Sequence, residues 1–315
     1  MEHSQKEEYI SFLNHNKDKI PIFYHPEWLD AVCGNNWNGL VYKNKRGDIE
    51  AVFPYHYYSK FGQTIIKMPK QTPFLGIWFK NKFDKNYKNY DSQEKIITFF
   101  IEKLPKFLFF QIRFAPKFRN HQPFYWHKFN QTTQYTYILN EIKNHETLFA
   151  NFKGNIRTDI RKAEKLVTIL QSEDINLFYQ INKLSFSRQN MNIKYSFELV
   201  KNIDNYLKKL NQRIILFAKD KENNIHAAAY IFWDCEKAYY LWGGADPKFR
   251  NSNAQIFLLW EAIKISSQFV DKFDFEGSMI ENVAKVFRKF DAQAVPYHRI
   301  FKINNKFLKI YQSIK

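Results

Sequence analysis

Two rhythms alternate along this chain: stretches in which apolar residues recur every three to four positions, and short, nearly continuous β-type runs. Helical spacing is read over Gln5 to Asn16. It is read again over Asp91 to Leu104, where Ile96, Ile97, Phe100 and Ile101 share a face and Asp91 stands as the cap. Leu40-Val41-Tyr42 and Ala51-Val52-Phe53 flank a polar turn with glycine, the signal of a β-hairpin. Pro54 to Ser59, Thr64 to Met68 and Phe74 to Phe79 read as strand pieces. Phe107 to Phe114 reads as a strand buried within a sheet, and Tyr135 to Leu139 completes this half.

The second half follows the same order. Helices are expected over His145 to Leu166, Asp174 to Gln189 and Ser196 to Leu210. Ile214 to Ala218 and Ile225 to Phe232 form another hairpin around a charged turn. Lys237 to Trp242 is a strand ending in Gly243-Gly244, and a long helix from Asn253 to Phe269 leads into the strand Phe273 to Phe275. The shared order of hairpin, helix and buried strand suggests a duplicated domain, with the boundary near Glu141 to His145. The expected domains are residues 1–143 and 144–315.

The most informative stretch is Lys272 to Tyr297. A short strand passes into Glu276-Gly277-Ser278, then a helix with Val283, Val286, Phe287 and Phe290 on one face, then a strand entered at Ala294 to Tyr297. A carboxylate, a glycine and a hydroxyl at a strand end, ahead of a helix, occupy the place where α/β proteins put chemistry. A tight turn with a positive-φ glycine and a serine cap would use the same residues.

Composition narrows the picture. The formal charge of +17 is spread over both halves, and no acidic residue occurs from Ala51 to Phe83 or from Lys103 to Asn140. Basic residues interleaved with Phe, Tyr and Trp in those windows suit phosphates, nucleic acid or an anionic headgroup; a lysine-rich solvated surface would give the same count. The opening MEHSQKEEYI is unlike a secretion signal, and no apolar run reaches the roughly 18 residues a membrane span needs. With Cys33 and Cys235 as the only cysteines, a reducing cytoplasm is expected and a disulfide framework is not. The histidines lack metal-ligand spacing, so no metal is expected. His226 reads as a sheet residue.

Two further segments are candidates for chemistry. After Gly243-Gly244, the loop Arg250-Asn251-Ser252-Asn253-Ala254 opens a long helix, and its backbone N–H groups would suit a phosphate. Arg157, Arg161 and Lys165 follow i, i+4, i+8 spacing and form a basic stripe, either a site for an anionic substrate or a solvated face.

Taken together these stretches resemble the GNAT acyltransferase superfamily, in its tandem-domain, Fem-like branch. Asn155-Ile156-Arg157-Thr158-Asp159-Ile160-Arg161-Lys162-Ala163 looks like that branch's N-x-R-x-x-I-[RK]-K-A helix. Phe273-Asp274-Phe275-Glu276-Gly277-Ser278, Val286 to Phe290 and Pro296-Tyr297 look like its FDFxGS…FKxxFG…PY signature. The donor loop lacks the usual glycines, and Phe290-Asp291 stands where the signature has Phe-Gly. The resemblance implies an α/β (α+β) fold of two tandem GNAT-like domains, each a mixed, mostly antiparallel twisted sheet flanked by helices. The first would be a degenerate copy shaping the acceptor side.

The implied activity is N-acyl transfer from acyl-CoA or aminoacyl-tRNA to an amine of a small-molecule or cell-envelope precursor acceptor, with tRNA as a possible partner. Glu276 would take the amine's proton, and Tyr240 or Tyr297 would protonate the leaving group. Arg250, Ser252, Asn253 and Ala254 would hold the donor's phosphates. Arg157, Arg161, Lys289 and Ser278 would contact the acceptor or a tRNA end. The alternative is a non-catalytic nucleic-acid or anionic-surface binder on a decayed acyltransferase fold, which the missing glycines and the charge favour.

Overall fold

The computed structural model describes residues 4–60, 62–81, 87–187, 193–277 and 279–305. The elements of the first 130 residues are α1 (Gln5–Asn14), α2 (Pro26–Cys33), β1 (Trp37–Lys43), β2 (Ile49–Lys60), β3 (Gln63–Lys67), β4 (Trp78–Phe79), α3 (Tyr87–Lys103), β5 (Phe109–Arg113) and α4 (Gln122–Trp126). Next come β6 (Asn130–Asn140), α5 (His145–Asn151), α6 (Gly154–Ala163), β7 (Thr168–Ser172), α7 (Ile175–Ser187) and α8 (Phe197–Lys209). The chain continues with β8 (Arg213–Lys219), β9 (Ile225–Trp233), β10 (Ala238–Ala245), α9 (Ala254–Ser266), β11 (Lys272–Gly277), α10 (Glu281–Lys289) and β12 (Gln293–Ile303).

Two compact units result, Met1–Gln134 with Pro296–Lys315, and Tyr135–Val295. A single cut between residues 143 and 144 was expected. The chain instead changes unit twice, because Arg299 to Ile303 of β12 pair antiparallel with Phe109 to Arg113 of β5.

In the first unit, β2 joins β1, β3 and β4 antiparallel, and β3 runs parallel to β5. Ser4 starts α1 with a capping box, its Oγ accepting from the Glu7 N–H while Glu7 Oε2 accepts from the Ser4 N–H. The core is an aromatic cluster in which Phe114 meets Phe53, Phe118 and Phe124 at 6.3, 4.3 and 5.3 Å between ring centroids. Rings at these tilts add edge-to-face attraction to their buried area. Gly76 shows why a side chain is excluded there: its φ is +105°, and a Cβ would lie 2.5 Å from the Phe114 ring.

In the second unit the sheet runs β6-β11-β10-β9-β8-β7, antiparallel throughout except for the β10–β11 pair. α9 is buried nearly all round, with Leu258, Leu259, Ala262 and Ile263 at 2% exposure or less. A helix apolar on every side belongs to a core rather than a surface. Arg213 fixes β8 by donating from both Nη atoms to Glu173 at 2.6 and 2.7 Å and from Nε to Asp204 at 2.9 Å. Tyr230 also donates to that Asp204 oxygen at 2.8 Å.

Three local expectations differ from the structure. Asp91 lies inside α3 and not at its cap. The helix expected over His145 to Leu166 is two helices, because Phe152 and Lys153 take extended conformations (ψ 143° and 139°); the buried Leu148, Phe152, Ile156 and Ile160 keep helical spacing across the break. β7 was not expected: it is an edge strand with little apolar burial, so its alternation is faint.

Candidate functional site

β10 and β11 start together and then part. Their parallel register consists of Ala238↔Phe273 and Tyr239↔Asp274, and Tyr240 and Glu276 lie one and two positions beyond the last pair. β10 stays paired to β9 through Ala245 but slips register between Tyr240 and Trp242, a bulge at Leu241. On its glycine end β10 is met by α7. Asn182 Nδ2 donates to the Gly243 carbonyl at 2.7 Å, and the Ala245 N–H donates to Ser185 Oγ at 2.8 Å. Tyr195 orients Asn182 by donating to its Oδ1 at 2.6 Å. Gly244 permits this approach, since a Cβ there would fall 2.5 Å from the Asn182 Cα.

Tyr240 lies over Gly243, where an added Cβ would sit 1.6 Å from the phenolic oxygen. That oxygen accepts from Gln255 Nε2 at 2.9 Å, and burial pushes the Tyr240 pKa up. Gln255 is a site residue that the sequence did not reveal; its own Oε1 is buried without a hydrogen-bond partner among the described residues. Its position in the first turn of α9 was the available signal.

Glu276 stands in a second bulge, where β11 slips register on β6 between Asp274 and Gly277. Its φ is +61°, a left-handed conformation uncommon for a side chain of this kind. In the tight-turn reading the positive φ would fall on Gly277; the structure gives it to Glu276. Asp274, fully buried, sets that geometry. Its Oδ1 accepts from the Glu276 N–H at 2.9 Å and from Thr136 Oγ1 at 2.5 Å, and its Oδ2 accepts from Lys237 Nζ at 2.5 Å. Lys237, Asp274 and Thr136 are distant in sequence and were not foreseen as a group.

The donor loop contains no glycine. Asn253 takes φ +55° at the start of α9, and Asp291 takes φ +62° just after α10. Asn and Asp tolerate the left-handed region better than other residues with side chains, so each holds a conformation that glycine also adopts. Within the loop, Ser252 is buried, donating to the Phe249 carbonyl at 2.7 Å and accepting from the Ala254 N–H at 3.3 Å. Asn253 Nδ2 donates to Asp159 Oδ1 at 3.1 Å. His226 stacks on Phe249 of this loop at 4.0 Å and pairs with Asp220 at 2.9 Å, a sheet residue that also braces the loop. Arg250 is exposed.

The basic stripe is shorter than expected, since α6 ends at Ala163 and leaves Lys165 outside it. Arg157 Nη1 donates to the Ala150 carbonyl at 2.8 Å, and the Arg161 guanidinium lies 5.6 Å from the centre of the Phe149 ring. The Lys289 carbonyl accepts from the Lys153 N–H at 2.9 Å, tying α10 to the start of α6. Tyr297 belongs to the other unit, its ring edge-on to Phe74 at 4.9 Å. Ser278 lies outside the described residues. The Cys33 thiol is pushed up to about 12 by burial, against the thiolate form a nucleophile needs. Among the described residues no group of three or more His, Cys, Asp or Glu is placed to hold a metal ion, and no helix is long and apolar enough to cross a membrane.

The family described as acetyltransferase (GNAT) domain matches residues 150–277, which contain α6, the parting strands and the donor loop. FemX superposes with a TM-score of 0.70 at 14% identity, covering 99% of this chain and 98% of its own. L-PGS from Bacillus licheniformis gives 0.54 at 14% identity over 96% and 94% of the two chains. The C-terminal domain of a putative lysylphosphatidylglycerol synthetase from Agrobacterium fabrum gives 0.54 at 10% identity over 94% and 92%. At these identities the superpositions speak for fold. No curated protein matches the sequence. Residues 150–277 thus match a GNAT acetyltransferase domain, the signature of an acyltransferase, and the chain that carries them has a two-domain fold similar to that of FemX.

Proposed function

We propose that the protein transfers an aminoacyl group from an ester donor of the aminoacyl-tRNA type to an amine of a cell-envelope precursor. The observation that carries this reading is the Tyr240 hydroxyl, held over Gly243 where β10 leaves β11. Because it accepts from Gln255, its own hydrogen is free to be donated. A phenol pushed above its ordinary 10 is a poor proton donor to a thiolate, whose thiol titrates near 8.5. It is suited to an alkoxide, which is far more basic.

The donor loop supports the same choice. Ser252, Asn253 and the Ala254 N–H are already engaged within the protein, which leaves Arg250 as the one candidate phosphate contact of the four with its side chain in solvent. In the reaction the acceptor nitrogen attacks the ester carbonyl carbon and its proton passes to Glu276, directly or through water. Backbone N–H groups of the bulged β10 stabilise the oxyanion, the C–O bond breaks, and the ribose oxygen takes the proton of Tyr240. The names of the lysylphosphatidylglycerol synthetase neighbours, which join an amino acid to a lipid, favour an envelope acceptor. The match of residues 150–277 to an acetyltransferase domain weighs against the binder alternative.

The test is parallel incubation with labelled aminoacyl-tRNA and labelled acetyl-CoA, each with envelope precursors bearing a free amine. Transfer from the tRNA is expected. Transfer from acetyl-CoA with none from aminoacyl-tRNA would overturn the ester donor.

A further inference from the structure

The sequence between Lys103 and Asn140 carries no acidic residue, and of it only Thr136 takes part in the candidate site. At its centre α4 turns Pro123 and Phe124 inward. Phe124 packs on Phe110, Phe114, Phe118 and Phe129 at 6.4, 5.3, 6.2 and 5.2 Å. The next two residues face the other way: Tyr125 is 68% exposed and Trp126 52%. Lone exposed aromatics are ordinary on a protein surface, whereas two consecutive ones on a rigidly seated turn are not.

The turn is held firmly. Asn120 Oδ1 accepts from the Gln122 N–H at 3.2 Å. Lys128, at φ +63°, closes the far end with its N–H on the Tyr125 carbonyl at 2.9 Å, and Lys302 Nζ caps the His127 carbonyl at 2.8 Å. Around the two rings every charged side chain of the segment is basic, and Lys117, Arg119 and Lys128 are exposed.

We propose that the tip of α4 docks on an anionic lipid surface, with Tyr125 and Trp126 entering the headgroup zone and Lys117, Arg119 and Lys128 meeting lipid phosphates. Tyr and Trp are the side chains that settle at that depth, because each joins an apolar body to one polar group. Each nearby Lys or Arg adds attraction to an anionic leaflet. Two rings are too small an apolar area for a stable protein interface, which takes roughly 800 Å² from each partner. Neighbours on a helix point about 100° apart, so the two rings cannot form the parallel platform on which successive bases of a single strand stack. This surface stands independently of the proposed reaction, and its test needs no substrate.

The experiment is co-sedimentation of the full chain with vesicles of phosphatidylcholine, with and without about 30% phosphatidylglycerol. The parent is expected to bind the anionic vesicles. Tyr125→Ser with Trp126→Ser is expected to weaken that binding at least about tenfold with the far-UV circular dichroism unchanged. Lys117→Glu, Arg119→Glu and Lys128→Glu together are expected to weaken it more than Lys201→Glu, Lys209→Glu and Lys221→Glu, an equal charge change at exposed sites elsewhere. Equal losses from the two triple variants, with no loss from the aromatic pair, would reduce the binding to net charge and overturn the proposal. So would an aromatic pair variant that loses single-stranded RNA binding and keeps vesicle binding.

Discussion

The backbone N–H of Glu276 donates to the carboxylate of Asp274, two residues earlier on the same strand, at 2.9 Å. The charged side chain at the parting of β10 and β11 is therefore held by a buried one. Asp274 is in turn held by Thr136 of β6 and by Lys237, the residue just before β10. Removing one charge of such a pair strands the other in the interior. Asp274→Asn is expected to cost about 3–5 kcal/mol of stability, and adding Lys237→Met to recover much of it. Chemical denaturation of the two singles and the double checks this; additive losses would mean the pair is not coupled.

Glu276 occupies a conformation that costs roughly 1 kcal/mol or more for a residue with a side chain. Glu276→Gly is expected to raise stability by about 1 kcal/mol while turnover falls at least about tenfold. Glu276→Gln should match the loss of turnover without the gain in stability. A glycine variant no more stable than the parent would show that the turn carries no strain.

Tyr240→Phe removes the hydroxyl and leaves the Gln255 amide without its acceptor. Single-turnover rates are expected to fall at least about tenfold, with donor affinity unchanged, because the proton is needed as the leaving group departs. Gly243→Ala should lower the rate similarly, since its Cβ would displace the ring, and should also cost about 1–3 kcal/mol. A Tyr240→Phe enzyme with parental rates would remove Tyr240 from the chemistry.

Acid should weaken the first unit before carboxylates titrate. His25, His56 and His298 all have pKa values lowered from 6.5, with burial as the first cause. The unfolded chain then binds more protons than the folded one below about pH 6.5, so stability falls as pH falls through that range. Urea midpoints at about pH 7.5 and pH 5.5 should differ in this sense. His25→Gln, whose amide can still reach the Ile20 carbonyl that His25 Nε2 now contacts at 2.9 Å, should reduce the difference.

The alternation of strands and helices, both hairpins and the strand-turn-helix around Glu276 were legible because their apolar spacing is local. The break at Phe152 was not, since the apolar residues on either side keep one helical phase and nothing like proline marks the interruption. The missing glycines at Asn253 and Asp291 were legible; the positive φ at both was not. The Asp274 cluster was out of reach for another reason. Its hydrogen bonds span 138 residues to Thr136 and 37 to Lys237, and only strand register brings them together.

The pairing of β5 with β12 has a consequence during synthesis. Gln111 waits for Arg299, 188 residues later, and the whole of the second unit is translated in between. At bacterial-like elongation rates of about 5–20 residues per second, one edge of β5 stays unpaired for roughly 10–40 s on the ribosome. The second unit has all its strands before that edge is covered, so the part of the chain made first is the last to be finished. A nascent chain stalled before β12 would expose the Phe109–Arg113 edge to any other unpaired strand, and that is where a chaperone would be needed.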